Sequence, residues 1–264
     1  MTAEAAGAAP VPLVSLHTHT DLSLCGRPDM TFEAAVAAAV ECGYHTLGFC
    51  DHVHVAAVTD RPAHAARLRQ YRARRDTAAW PVRVLLGAEF EVSAPGRVVE
   101  CDGILDLCEY TVVAPNHYQL PWIESVSGSF AAVAARELDH IETACRWPHT
   151  DILAHPFAGS LRAPGHEPDG VWQAADRGRV RELLHLALER GIALEIQPKL
   201  WCQPERAGRV AELFDQWLDM GGRVAPGSDA HDLAGLRAWA ARYGEVVARF
   251  GLTPERLWWP EACA

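Results

Sequence analysis

Short apolar runs alternate with longer amphipathic stretches along most of the chain. Apolar runs at residues 12–16, 46–50, 82–87, 107–114, 151–154, 192–196 and 223–225 are too short for core helices and read as buried strands. Between them, residues 31–42, 62–79, 129–146, 179–190, 205–220 and 233–250 carry helical patterns. Thr31 suits an N-cap, and Gly43, Gly191 and Gly221 suit helix stops. Residues 93–106 show no helical pattern. Seven strands that mostly alternate with helices predict a parallel α/β sheet. No mid-chain linker, repeat or low-complexity break divides it, so a single TIM-like barrel is favoured over an open doubly wound sheet.

Composition narrows the partners. The 264 residues suffice for one barrel, and 22% charged with 49% hydrophobic residues fits a globular protein. A net charge of −10 argues against a nucleic-acid-wrapping surface. Eight cysteines without a C-x-x-C pair read as reduced thiols of a cytoplasmic protein. Residues 1–12 are Ala- and Pro-rich, carry Glu4 and lack a basic start, so they read as a flexible tail rather than a signal peptide, with the barrel over residues 13–264. No stretch has the apolar length of a transmembrane helix.

The polar residues carry the chemistry. His17 and His19 follow the first strand two residues apart, a spacing that aims both imidazoles to one side of an extended chain. Asp51-His52, Glu89, Asn116-His117, His155-Pro156 and Asp229-Ala230-His231 each follow another apolar run. Each has an ordinary alternative: Asp51 or Asp229 as a helix cap, Glu89 as a solvated charge, the histidines as loop residues. Their joint placement at the C-terminal ends of strands, where α/β barrels build their active sites, favours a metal centre.

These segments, in this order, resemble the polymerase and histidinol phosphatase (PHP) family. The matching pieces are Leu16-His17-Thr18-His19-Thr20, Cys50-Asp51-His52, Gly87-Ala88-Glu89, Asn116-His117, Leu153-Ala154-His155-Pro156 and Gly227-Ser228-Asp229-Ala230-His231. The resemblance implies a distorted (βα)7 barrel with two or three divalent ions (Zn, Mn or Fe) that hydrolyses phosphate esters. By position, His17, His19, Glu89 and Asp229 would hold one ion. Glu89 would bridge to a second ion held by His117 and His155. A third site would use His52 and His231 with one ligand from the loop after the first strand. Many family members have histidine in that loop; here Cys25 and Asp21 are the two candidates.

The expected activity is hydrolysis of a small phosphomonoester by a metal-activated hydroxide, with histidinol phosphate as the default substrate and a small phosphorylated metabolite as the partner. Two ions would grip phosphoryl oxygens and lower the pKa of a shared water to about 7. Glu89, Asp229, His231 and His52 are the candidate catalytic residues, and His54 joins the last three as a candidate acid for the leaving alkoxide. Arg27, Arg162 and Lys199 are candidate phosphate cations, with Tyr118, Trp122, Phe157, Trp172 and Trp201 as candidate pocket aromatics. Residues 117–129 and 157–176 are candidate lids. His64, His140, His149, His166 and His185 are expected outside the ligand set, as is His54. The alternatives are a hydrolase of phosphodiesters, cyclic phosphates or non-phosphate substrates on the same scaffold, and a non-catalytic metal-bearing accessory module.

Overall fold

The computed structural model describes residues 10–100, 102–157, 168–197 and 204–260. In chain order the elements are β1 (Val14–Ser15), α1 (Phe32–Glu41), β2 (Thr46–Val53), α2 (Arg61–Thr77), β3 (Arg83–Ala94), β4 (Arg97–Val98), β5 (Tyr110–Ala114) and α3 (Phe130–Arg146). Then follow β6 (Ile152–Leu153), α4 (Pro168–Ala174), α5 (Arg177–Glu189), β7 (Ala193–Ile196), α6 (Pro204–Asp219), β8 (Val224–Pro226) and α7 (Leu233–Phe250). Seven strands pair in the order β1-β2-β3-β5-β6-β7-β8, each parallel to the next. Leu16 N donates to Pro226 O over 2.7 Å, and Thr18 bridges in parallel to Ala230. β8 thereby returns against the end of β1 and nearly closes the sheet into a TIM-like (βα)7 barrel, a single domain.

Local chemistry accounts for the helix boundaries. Thr31, Asp60, Ser129, Asp176 and Asp232 cap α1, α2, α3, α5 and α7, each through a side chain that accepts from the first turn. Gly43, Gly191 and Gly221 follow α1, α5 and α6 with φ of 75°, 70° and 87°, which a Cβ would resist. The predicted helix at residues 31–42 and that at 233–250 are thus found within a residue. Two strands run longer than expected. β2 continues through Asp51-His52 to Val53, and β3 through Glu89 and Glu91 to Ala94, because the two stay paired that far: His52 is in register with Glu89. The polar residues therefore belong to the upper inner wall of the barrel rather than to loops beyond it. After β3 the chain turns at Gly96 (φ 75°) into the two-residue antiparallel β4, too short to read from a pattern.

The lower interior is closed by one ring. Tyr110 is 2% exposed, and its hydroxyl donates to Leu16 O across the barrel at 2.7 Å and accepts from Cys50 Sγ at 3.1 Å. The wall beside it is cleared of side chains. A Cβ on Gly48 would lie 2.1 Å from the Tyr110 hydroxyl, and one on Gly87 would lie 2.8 Å from Tyr110 O. Phe32 and Phe49 stack with Tyr71 of α2 outside the barrel and fasten helices to its wall. The five cysteines among the described residues for which bonding is defined (25, 42, 50, 108 and 145) are all free.

Gly48→Ala is expected to destabilise the protein by about 1–3 kcal/mol, because the extra methyl overpacks the Tyr110 plug. The measurement is the denaturant midpoint at constant m-value. An unmoved midpoint would mean that the ring moves aside without cost.

Candidate metal centre

At the upper end of the barrel a carboxylate sits among five imidazoles. Glu89 is 1% exposed and lies on β3, with Glu91 two residues on and therefore on the same inner face. Its Oε2 is 2.8 Å from His52 Nδ1, 3.3 Å from His17 Nε2 and 3.6 Å from His19 Nε2. Its Oε1 is 3.4 Å from His155 Nε2 and 3.6 Å from His117 Nε2. Asp229 Oδ1 completes the first group at 3.2 Å from His19 Nε2 and 4.0 Å from His17 Nε2.

The far sides of the rings are already committed. Carboxylates only accept, so His17 Nδ1 donates to Glu195 Oε1 at 2.7 Å. Asn116 Nδ2 donates to Glu137 Oε1 at 3.1 Å and to His155 O at 3.0 Å, which fixes the amide orientation. Asn116 Oδ1 must then accept from His155 Nδ1, 3.1 Å away. Ser23 Oγ donates to Asp51 Oδ1 at 2.7 Å and so accepts from His19 Nδ1 at 3.1 Å. Glu91 Oε1 accepts from His117 Nδ1 at 3.3 Å and from His54 Nδ1 at 2.8 Å.

Four rings therefore turn Nε2 towards Glu89 with their Nδ1 protons spent elsewhere. His17 Nε2 and His19 Nε2 are only 3.0 Å apart, a separation that needs a positive centre between two lone pairs. Both Glu89 oxygens and His52 Nδ1 are buried, yet none of the three makes a directed hydrogen bond. Proximity without hydrogen-bond direction, on nitrogen and carboxylate donors backed by carboxylates and an amide, fits divalent cations.

Titration follows the same geometry. Burial pulls His17 down, but the Glu195 and Glu89 carboxylates overcome it and hold its pKa well above the ordinary value. Burial likewise opposes protonation of His52, and Glu89 reverses that. Burial would raise Glu89, yet His52, His17 and His117 hold it well below the usual carboxylate range. Burial also opposes ionisation of Cys25, but hydrogen bonds with His231 and His52 bring its pKa down to about 6.

Backbone strain marks the same place. His155, Phe157 and Asp229 adopt φ of 30°, 61° and 46° without being glycine, each at a cost of about 1–3 kcal/mol. Asp229 is released for this role because Asp232 caps α7, through Asp232 Oδ1 and Gly235 N at 2.7 Å. His231 Nδ1 donates to Asp229 O at 2.9 Å, and its ring stacks on His19 with centroids 4.2 Å apart.

His17, His19, Glu89, His117, His155, Asp229, His52 and His231 thus come together, with Cys25 beside the last two. Asp21 lies apart: its Oδ1 is 3.8 Å from Arg67 Nη1 on α2. Asp51 faces away from the cluster and holds the loop after β1. Tyr118 packs on the ring of His140 in α3, with centroids 5.5 Å apart. Trp122 Nε1 donates to Glu91 Oε2 at 2.9 Å, and its ring lies 4.8 Å from that of His54. Phe157 and Trp172 are buried edge to face. Arg27 is exposed and tied to the site by its backbone N, 2.9 Å from His231 O. Arg162, Lys199 and Trp201 lie outside the described residues.

The supporting shell was largely missed from sequence. Glu195 stands in Ala193–Ile196, a buried apolar strand, where a lone charge is itself a signal. His54 and Glu91 continue the inward alternation of His52 and Glu89, and the group His52, His54 and Glu91 also offers three donor atoms close enough for one ion.

Comparison with known proteins agrees with this arrangement. The structure resembles a histidinol phosphate phosphatase (HisK) from Lactococcus lactis subsp. lactis Il1403, solved with zinc, L-histidinol and phosphate. The TM-score is 0.67 at 14% identity, covering 92% of this chain and 95% of that one. A 5-methylcytosine deaminase from Klebsiella pneumoniae superposes with a TM-score of 0.40 at 14% identity, over 83% of this chain and 63% of that one. No curated protein sequence matches the chain. The PHP domain family model matches residues 15–199, which with the barrel and its histidines places this chain in the PHP domain family.

Proposed function

We propose that this protein is a metal-dependent phosphatase of small phosphomonoesters, with a histidinol-phosphate-like compound as the default substrate and the cytoplasm as its place of action. The observation that carries the reading is Glu89: a buried carboxylate whose two oxygens face two different sets of imidazoles. That division suits one ion at His17, His19, Glu89 and Asp229 and a second at Glu89, His117 and His155. Bound Zn, Mn or Fe would supply the charge that grips phosphoryl oxygens and acidifies a water.

The chain's own residues do the rest. Glu195 holds His17 through Oε1 and the His155 amide through Oε2 at 3.0 Å, so one carboxylate sets the spacing between the two groups. His52, His231 and Asp229 stand at the open side, where a leaving alkoxide needs a positive or proton-bearing neighbour. Arg27, on the adjacent loop, is placed to grip phosphate from solvent, the task for which Arg geometry is suited. Arg162 and Lys199 are proposed for the same task from sequence position alone. The Phe157–Trp172 pair and Trp122 make the far walls apolar, which suits an organic leaving group.

The test is phosphate release from a panel of phosphomonoesters, histidinol phosphate included, before and after chelation and with Zn, Mn or Fe returned. Release that vanishes on chelation and returns with metal is expected. No release from any ester by protein with verified metal would overturn the phosphatase reading and leave the hydrolase and accessory-module alternatives.

Two substitutions sharpen this. Glu89→Gln is expected to abolish turnover and reduce bound metal while circular dichroism stays unchanged; full activity would remove Glu89 from the centre. Glu195→Gln keeps the shape but turns one acceptor into an amide, and it is expected to weaken metal affinity by about 10–100-fold. Isothermal titration with Zn reads this directly, and an unchanged affinity would return Glu195 to a purely structural role.

A further inference from the structure

The loop after β1 is fastened into one shape. Asp51, 1% exposed, accepts from Thr20 N, Thr20 Oγ1 and Ser23 Oγ, each at 2.7 Å. Gly26 N donates to Ser23 O at 2.9 Å, and Gly26 lies so close to Thr20 that a Cβ would fall 1.9 Å from the Thr20 carbonyl oxygen. Arg27 N is bonded to His231 O, and Asp21 N to Met30 O, both at 2.9 Å. This fold-back carries Cys25 between the ends of β2 and β8, where its thiol hydrogen-bonds with the imidazoles of both His52 and His231. Those two histidines and His19 offer nitrogens close enough to share one ion. His19 Nε2 already faces Asp229 and Glu89, so His52 and His231 lack a further donor of their own. His52 Nδ1 is buried without a hydrogen-bond partner, on a side chain 10% exposed. Asp21, the loop's oxygen candidate, is turned to Arg67 on the outer side.

We propose that Cys25 is a thiolate ligand, together with His52 and His231, of a third divalent ion, giving the cluster one sulfur-containing position beside two built from nitrogen and oxygen. The inference rests on the metal-centre reading above and names the ligand that completes it. As the sulfur–metal bond forms, the thiol proton leaves to solvent. A thiolate favours zinc over manganese, whereas the nitrogen and carboxylate groups accept either. Cys25 is exposed, so this position is the one that solvent and thiol reagents reach.

Cobalt(II) titration of the chelated full chain, under reducing and anaerobic conditions, tests it without reference to turnover. The wild type is expected to develop a near-ultraviolet sulfur-to-cobalt charge-transfer band. Cys25→Ser is expected to lose that band, keep the visible ligand-field bands of the remaining ions and bind one equivalent fewer. Cys25→His should recover the equivalent without the band. Cys42→Ser, at the end of α1 and away from the centre, should match the wild type. Cobalt bound with ligand-field bands but no charge-transfer band in the wild type overturns the proposal, as does a band that persists in Cys25→Ser. Either result leaves the phosphatase reading standing. That reading fails separately, if protein showing the band releases no phosphate. A chain that binds no cobalt at all overturns both.

Discussion

Everything at the top of this barrel follows from the commitment of imidazole Nδ1 protons to acceptors behind the rings. Once Glu195, Ser23, Asn116 and Glu91 have taken those protons, the Nε2 atoms of His17, His19, His155 and His117 converge as lone pairs around a buried carboxylate. Lone pairs and a carboxylate repel one another unless cations or protons stand between them. Without metal, protons on His17 and His52 serve that purpose, held there by Glu89 and Glu195 against the pull of burial. Metal binding is therefore an exchange of cation for proton in a frame that exists beforehand.

The barrel supplies this frame by a division of labour along its strands. Low in the interior, glycines at 48 and 87 leave room for the Tyr110 ring. Two and four residues further along the same inward-facing alternation stand Cys50, His52 and His54 on one side and Glu89 and Glu91 on the other. The residues between them point outward and do different work: Asp51 grips the loop that carries Ser23, and Ser23 in turn orients His19. Inner and outer faces of β2 thus act on the same ligand sphere by separate routes. The strained backbone at His155 and Asp229 is tolerated because hydrogen bonds on both sides over-determine it.

Much of this was legible in the sequence, for a physical reason. Strand ends in a parallel barrel are where chain direction forces side chains together, so His17, His19, Glu89, His117, His155 and Asp229 were readable from their place after apolar runs. The strand limits were less so: apolar content falls at Asp51 and Glu89, yet pairing continues because inward polar residues satisfy one another rather than water. Glu195 and Glu91 were overlooked since each looked like an exception in an apolar strand or a charge at its end. The pairing of Asn116 with Glu137 joins a strand end to the middle of a helix, a contact that no local pattern encodes.

The cluster is unequal in how firmly it is built. His17, His19, His117 and His155 are each locked by a buried partner, and their positions tolerate little change without an unpaired charge left inside. His52 and His231 are held more loosely: His231 rests on a backbone carbonyl, and His52 has no hydrogen-bonded partner for Nδ1. Their remaining neighbour comes from a loop whose shape depends on Asp51 rather than on the residue at position 25. A loop fixed by its backbone can exchange the side chain it presents without disturbing the deeper pair. That explains how a thiol can stand at the rim of an otherwise nitrogen- and oxygen-lined centre, and why chemistry at the leaving-group side is free to vary while the Glu89 groups are not.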